Sequence, residues 1–439
     1  MINVSTLICY FFLFLFFLEL FHLCCSIRWM KINRCVSCSH ELCKKKEEVP
    51  LYLIVPVLNE QRIIEETYMH FRDIVNQFEK VYVVYVTTEK EGPCSITTYE
   101  MIKRLMEADV CNKKIYLFHY PYKKGVMAHQ LNYAIDQLEK INPSLNFWIG
   151  IYNADSRISV STIDYIINNI NQKDCLHKCF QQYSWYITKS NKSHDILNSA
   201  ALWQTRWTLV FELARVRFQA ALDSAKLPDS IYFILEKMNY VIGHGLYIKV
   251  IDLKTLGGFP EDTINEDACL GYLLNCNNIK IIPIPFLEKA ESPNKVSIYI
   301  KQQTTWFNGP WYAFQYWKCK MKAQGKNNVR YLLLAFKLFL HALYWLLAPI
   351  LLLFICPICI TNLYQLGLWI GTVLLYLPIM HFIVEKSIVY LEDIKAGSVP
   401  HASLWCIPFF AIHCFGPIRN LYFQLRKQNS IDYKYKTER

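Results

Sequence analysis

The sequence predicts an α/β domain with a mostly parallel sheet, flanked by membrane-spanning helices. Three observations predict it: short apolar runs alternate with helix-like stretches, polar residues follow directly after those runs, and long apolar blocks are confined to the two ends of the chain. Leu51 to Val57 is the first run, ending at Asn59-Glu60 and followed by a helix-like stretch to about Lys80. Val81 to Thr87 is β-branched and aromatic, and Lys114 to His119 and Phe147 to Tyr152 are further strand candidates with helical segments between them. Strands that alternate with helices build parallel sheets. Ligands of such sheets bind beyond the carboxyl ends of the strands, so Asn59-Glu60, Thr87-Thr88-Glu89 and Asn153-Ala154-Asp155 are the first candidate site residues.

The ends of the chain belong to a bilayer. Hydrophobic residues make up 53% of the 439 positions, and a hydrocarbon core of roughly 30 Å takes about 20 of them in one helix. Leu7 to Cys25 meets that demand, broken only by Glu19 and His22. A cleaved signal peptide is the rival reading, but the basic residues (Arg28, Lys31, Arg34, Lys44, Lys45, Lys46) follow the apolar run instead of preceding it. Tyr331 to Val384 is too long for one span and is split by Pro357 and Thr361-Asn362, which predicts a helical hairpin. Lys318, Lys320, Lys322, Lys326 and Arg330 precede it, so both basic clusters put residues 28 to 330 in the cytosol. Leu404 to Leu425 is interrupted by Pro408, Pro417 and Arg419 and either spans or re-enters.

The organisation expected is a transmembrane helix over 1–27, a basic cysteine-rich linker over 28–49, a catalytic domain over 50–300, an interfacial segment over 301–330, a transmembrane hairpin over 331–385, and a third membrane or re-entrant segment with a basic tail over 386–439. The net charge of +11 gathers beside the membrane segments, which fits anionic lipid and not nucleic acid. Seventeen cysteines in a cytosolic and intramembrane setting are expected as free thiols. Cys35, Cys38, His40 and Cys43 are either a tight zinc-ligand group or a cysteine-rich linker. Cys356 and Cys359, at the hairpin tip, are either a strained disulfide or two apolar thiols.

The most informative stretch is Gly257 to Tyr272. There a glycine-proline turn leads to Glu266-Asp267 on the first turn of a helix, where a carboxylate can serve as a base. Residues 156 to 240 read as helices around Ser161 to Asn171 and Trp203 to Asp223. The apolar face of the second packs on the sheet or on membrane helices. Neither a Walker-type loop nor a GxGxxG fingerprint occurs.

Pro56-Val57-Leu58-Asn59-Glu60, Asn153-Ala154-Asp155, Gly243-His244-Gly245, Asn265-Glu266-Asp267 and Gln302-x-x-Thr305-Trp306 stand in the order and spacing of family 2 glycosyltransferases. The chain resembles their membrane-embedded, synthase-like branch, which includes cellulose, chitin and hyaluronan synthases and bacterial exopolysaccharide enzymes. The resemblance covers about residues 50 to 330 and the flanking helices. It implies a GT-A fold, a nucleotide-sugar donor (a UDP-sugar first), and Mg²⁺ or Mn²⁺. By resemblance Glu60 and Glu89 hold the nucleoside, and Lys124 and Asn132 lie near the ribose and diphosphate. Asp155 and Asn153 hold the metal, Asn153 replacing the first aspartate of the family's DxD. Asp267 is the base with Glu266 in support, and His244 approaches donor or acceptor. Gln302, Thr305 and Trp306 match QxxRW, with Trp306 as the sugar platform and Thr305 in place of the arginine, a departure that removes a bidentate phosphate donor.

The expected activity is an inverting transfer to a polysaccharide or glycan acceptor. A single addition to a polyprenyl-linked lipid acceptor and a catalytically inactive membrane scaffold are the alternatives. The expected setting is an integral membrane protein, in a bacterial inner membrane, with the catalytic domain in the cytosol.

Overall fold

A computed structural model describes residues 3–39, 49–92, 96–109, 112–171, 177–188, 195–225, 227–324 and 328–426. The chain divides into two compact units: a sheet unit of Arg34–Tyr183 and Tyr240–Glu288, and a helical unit of Met1–Asn33, Ser184–Asn239 and Lys289–Arg439. Among the described residues there are nine strands: β1 (Leu51–Pro56), β2 (Val81–Thr88), β3 (Ile115–Tyr120), β4 (Trp148–Ile151), β5 (Lys178–Gln181), β6 (Ser184–Ile187), β7 (Leu246–Lys249), β8 (Lys280–Pro283) and β9 (Glu288–Glu291).

Seven of them form one sheet in the order β3-β2-β1-β4-β7-β5-β8, and β6 pairs with β9 in a separate ribbon. All neighbours in the large sheet are parallel except β7, which runs antiparallel to both β4 and β5. Both faces of β1 are covered, and only its last residue is not fully buried. Leu51, Leu53 and Val55 join a core with Tyr68 and Phe71 of the Ile64–Val75 helix and Ile163 and Ile166 of the Val160–Ile170 helix. The intervening Tyr52 and Ile54 join the opposite core with Leu131 and Leu138 of the Met127–Ile141 helix and Leu270 and Leu274 of the Glu266–Cys276 helix. This alternation is the period of a strand, and each large apolar side chain so buried contributes roughly 1.5–3 kcal/mol. The predicted mixed α/β class, with a mostly parallel sheet, is what forms. The sheet centre requires glycine at 150: an added Cβ would stand 2.7 Å from the Tyr247 ring and 2.9 Å from Leu53.

In the helical unit three helices are long and apolar enough to cross a membrane: Val4–Cys35, Val329–Ile358 and Leu363–Glu392. The predicted hairpin is the second and third of these. Asn362 starts the third by accepting the Gln365 N–H on its side chain at 3.0 Å. Cys9 and Cys356 bring their sulfurs to 3.6 Å, and Cys356 and Cys359 are free thiols. The block from Leu404 forms two short helices, Cys406–His413 and Phe415–Leu425, neither of spanning length. His40 and Cys43 of the possible zinc group lie outside the described residues.

Of the stretch from 156 to 240, residues Ser184–Asn239 join the helical unit. Its long helix runs from Asp195 to Ser224 with a π-turn at Thr208–Glu212. Arg206, 1% exposed, donates from Nε to Glu19 Oε2 at 2.7 Å and from Nη1 to the Tyr376 carbonyl at 2.7 Å, and its Nη2 stands in an ion pair 2.7 Å from Glu19 Oε2. The segment expected as interfacial over 301–330 carries its aromatic stretch on two helices, Val296–Trp311 and Ala313–Gln324. Pro310, which has no N–H to donate, sits one residue before the break. Phe307 and Tyr316 are buried there.

Candidate active site at the sheet edge

The parallel strands β1, β2 and β4 end on the same edge of the sheet, and three predicted polar groups follow from there. β7 starts at that edge because it is antiparallel to β4, with Leu246 opposite Ile151. The Gly245 N–H donates to the Ile151 carbonyl at 2.7 Å and thereby sets Gly243-His244-Gly245 beside the Asn153 turn. Gly245 has φ +66°, and a Cβ would meet Gln182 at 2.8 Å, so both conformation and space demand glycine.

After β1, Asn59 adopts φ 54°, a conformation asparagine tolerates better than most residues. Its N–H donates to Glu91 Oε1 at 3.0 Å, and the Thr98 N–H donates to Glu91 Oε2 at 2.7 Å. Glu60 is buried at 6% exposure, and its N–H donates to Thr98 Oγ1 at 3.2 Å. Glu89, after β2, is exposed, with Oε1 2.9 Å from His119 Nε2, while His119 Nδ1 is 2.8 Å from Thr87 Oγ1. Lys124 is exposed in the loop before the Met127–Ile141 helix. Asn132 is committed to the chain itself: its Nδ2 donates to the Phe259 carbonyl and to Glu261, and its Oδ1 accepts the Phe259 N–H at 2.8 Å. It thus clamps the turn that leads to Glu266-Asp267.

After β4, Asn153 and Asp155 sit in a tight turn. The Ser156 N–H donates to the Asn153 carbonyl at 3.1 Å, and the Asn153 N–H donates to Ser156 Oγ at 3.2 Å. Asp155 is half-buried. Glu288 lies behind this turn at 3% exposure, with Oε2 3.7 Å from His244 Nε2. Burial pushes the Glu288 carboxyl up and the Asp155 charge adds to this, while His244, Ser156 and the Arg157 N–H act the other way.

Asn265 ends the loop, and Glu266 and Asp267 open the Glu266–Cys276 helix. Glu266 is buried, and Asp267 is half-buried with Oδ1 accepting the Ala268 N–H at 2.7 Å. Asp267 faces a small cleft walled by Gly243, Met127, Phe259 and Ile242. A Cβ at Gly243 would stand 3.5 Å from Asp267 Oδ2, so glycine keeps this side of the carboxylate open. A helix N-terminus favours the anionic form there.

Gln302, Thr305 and Trp306 belong to the helical unit, on the Val296–Trp311 helix. Gln302 Oε1 accepts from Gln204 Nε2 at 3.3 Å, the Thr305 hydroxyl donates to the Lys301 carbonyl at 3.3 Å, and the Trp306 side chain is 39% exposed. The sheet edge thus brings together Glu60, Glu89, Asn153, Asp155, His244, Glu266 and Asp267 within one unit. Sequence reasoning missed Glu91, His119 and Glu288. Glu288 had a usable signal, since it is an acid directly after the apolar run Ile281 to Leu287, the rule that pointed to Asp155.

Among the described residues no group of three His, Cys, Asp or Glu side chains could hold a metal by itself. Asp155 with the Asn153 amide offers hard oxygen donors of the kind that bind Mg²⁺ or Mn²⁺ when substrate phosphates complete the shell.

No protein-family profile and no curated protein matches the chain significantly. Among solved structures it is similar to the mannosyltransferase PcManGT from Pyrobaculum calidifontis in complex with GDP-Man and Mn²⁺, at 16% identity, covering 95% of this chain and 99% of that one, with a TM-score of 0.47. It is also similar to S. aureus TarS 1–349, at 12% identity and a TM-score of 0.40, covering 86% of this chain and 92% of that one. Against a longer TarS structure the values are 13% and 0.39, covering 85% of this chain and 54% of that one. Likenesses this distant assign neither family nor activity.

Proposed function

We propose that the chain is an inverting membrane glycosyltransferase with a GT-A fold, of the family 2 synthase-like kind, that moves a sugar from a nucleotide-sugar to a glycan acceptor. What carries the reading is Asp267, on the first turn of its helix and open to a cleft past Gly243, at the edge where Glu60 and Asp155 also gather. Asp267 takes the proton from the acceptor hydroxyl, which attacks the anomeric carbon from the face opposite the diphosphate. Glu266 supports it, and Glu60 holds the nucleoside. Asp155 and Asn153 would hold Mg²⁺ or Mn²⁺, which supplies charge stabilisation for the departing diphosphate. The donor is a UDP-sugar, and the sheet unit faces the cytosol of a bacterial inner membrane. The acceptor is a growing polysaccharide.

The test is turnover of a panel of nucleotide-sugars by detergent-purified protein with Mn²⁺ or Mg²⁺, with products resolved by size. Metal-dependent nucleotide release that falls roughly 10²–10⁴-fold in Asp267→Asn, at an unchanged melting temperature, supports the transfer. A product ladder identifies a polymerase and a single band a lipid-acceptor enzyme. No release across the panel, with and without lipid acceptors, would sink the enzyme reading and leave the scaffold.

A further inference from the structure

We propose that Arg217, Lys237 and Arg215 form a binding site for a phosphate-bearing lipid headgroup in the helical unit, where the Leu213–Ser224 helix meets the Val4–Ser39 and Val329–Ile350 helices. Arg217 Nη1 donates to Ser26 Oγ at 3.1 Å, and its Nε is buried with no hydrogen-bond partner. Arg215 donates from Nε to the Phe211 carbonyl at 3.1 Å and sets Nη1 2.8 Å from a ring nitrogen of His341. The Lys237 ammonium lies 4.6 Å from the centre of the Phe218 ring. Lys237 sits beside the turn that carries Arg215 and Arg217, because its backbone N–H donates to Gln219 Oε1 at 2.8 Å and its ammonium lies over Phe218. Burial, and then the Arg215 charge, hold the Lys237 ammonium below the usual lysine range.

Among the described residues no carboxylate pairs with Arg217 or Lys237. The nearby acids have other partners. Glu236 is gripped by Arg330 at 2.6 and 2.9 Å, Asp223 accepts from Gln219 and the Tyr232 hydroxyl, and Glu212 accepts from Thr208. Cations withdrawn from water without a counter-charge are costly, and a phosphate matches the guanidinium fork.

The surroundings identify a lipid as the carrier of that phosphate. Two of the three helices that meet here are long and apolar enough to span a membrane. The short Asp229–Leu235 helix, just before Lys237, exposes Ile231, Phe233 and Ile234, the last at 71%. Lys337 pins its end to the second span by donating to the Phe233 and Glu236 carbonyls at 2.9 and 2.6 Å. An exposed apolar face fixed to a membrane helix lies in lipid. The inference is independent of the transferase reading and holds for a chain that transfers no sugar.

The experiment is equilibrium binding of farnesyl phosphate, farnesol and inorganic phosphate to the full-length, detergent-purified protein without any sugar donor. Farnesyl phosphate is expected to bind saturably and roughly tenfold or more tighter than either other probe. Arg217→Gln and Lys237→Gln should each weaken it by roughly tenfold, with Arg217→Lys between and Lys140→Gln, on the sheet unit, unchanged. Farnesol binding as well as its phosphate, or both glutamine variants binding like wild type, would overturn the site. Inorganic phosphate competing at parity would overturn the lipid as its source. Should the variants fail to fold, the ranking of the three probes on wild type decides.

Discussion

Arg206 and Arg217 lie on the same long helix of the helical unit and live under opposite rules. Arg206 has its counter-charge within the protein. Glu19 Oε2 accepts from its Nε and stands 2.7 Å from Nη2, the Tyr376 carbonyl accepts from Nη1, and the rings of Trp203 and Tyr376 lie 4.9 and 4.3 Å from the guanidinium. Glu19 is completed in turn by the Tyr376 hydroxyl at 3.1 Å. Arg217 has one hydroxyl partner and cationic neighbours. The difference teaches that burial alone does not label a charge as functional. What separates a structural cation from one built for a ligand is whether the protein itself supplies the counter-charge.

The comparison breaks first at the paired site. Glu19→Ala should cost about 3–5 kcal/mol, read as a lower melting temperature in detergent, because it strands the Arg206 guanidinium in the interior. Joint replacement, Glu19→Leu with Arg206→Met, should return most of that loss, since an apolar pair of similar volume removes both desolvation penalties. A joint variant as unstable as the single one would mean that the hydrogen bonds, and not the stranded charge, hold this region. The neutral clamp of the sheet unit offers an intermediate case. Asn132→Ala should cost about 1–2 kcal/mol by unfastening the Phe259 turn.

The smallest effect has the opposite sign. Lys237→Gln should raise the melting temperature of lipid-free protein by roughly a few degrees at most at neutral pH. The folded Lys237 titrates below its unfolded range near 10.5, so folding is penalised while the ammonium is charged. The gain is therefore full below the folded pKa and fades as pH rises toward the unfolded one. A gain that persists unchanged at alkaline pH would place its cause in packing instead of charge.

Much of the sheet unit was legible because its signals are local. The runs at β1, β2 and β4 are apolar on both faces, and each ends in a polar turn, so strand positions and site residues arrive together. The Glu266-Asp267 pair was legible for the same reason, since a glycine-proline turn and a helix start lie within ten residues or so. Glu91 and His119 escaped because each is a single residue whose role exists only across the fold, whereas Glu288 carried the same local signal as Asp155, an acid directly after an apolar run. The 184–239 segment escaped because its polar and aromatic residues are buried by helices far away in sequence, as Arg206 is by Glu19 and Tyr376. β7 escaped because four residues carry too little pattern to announce an antiparallel insertion in a parallel sheet.

That insertion dictates an order of assembly. β7 lies between β4 and β5, yet it is synthesised only after the chain has left the sheet for Ser184–Asn239 and come back. Until it arrives, β5 has no route into the sheet, and β8, which hangs on β5, has none either. A ribosome that has delivered β5 has therefore made an open half-sheet with an exposed edge at β4, which a later strand must close from a distance. The sheet cannot mature as a freestanding N-terminal piece, and the helical excursion becomes a step in its folding pathway instead of an appendage to it.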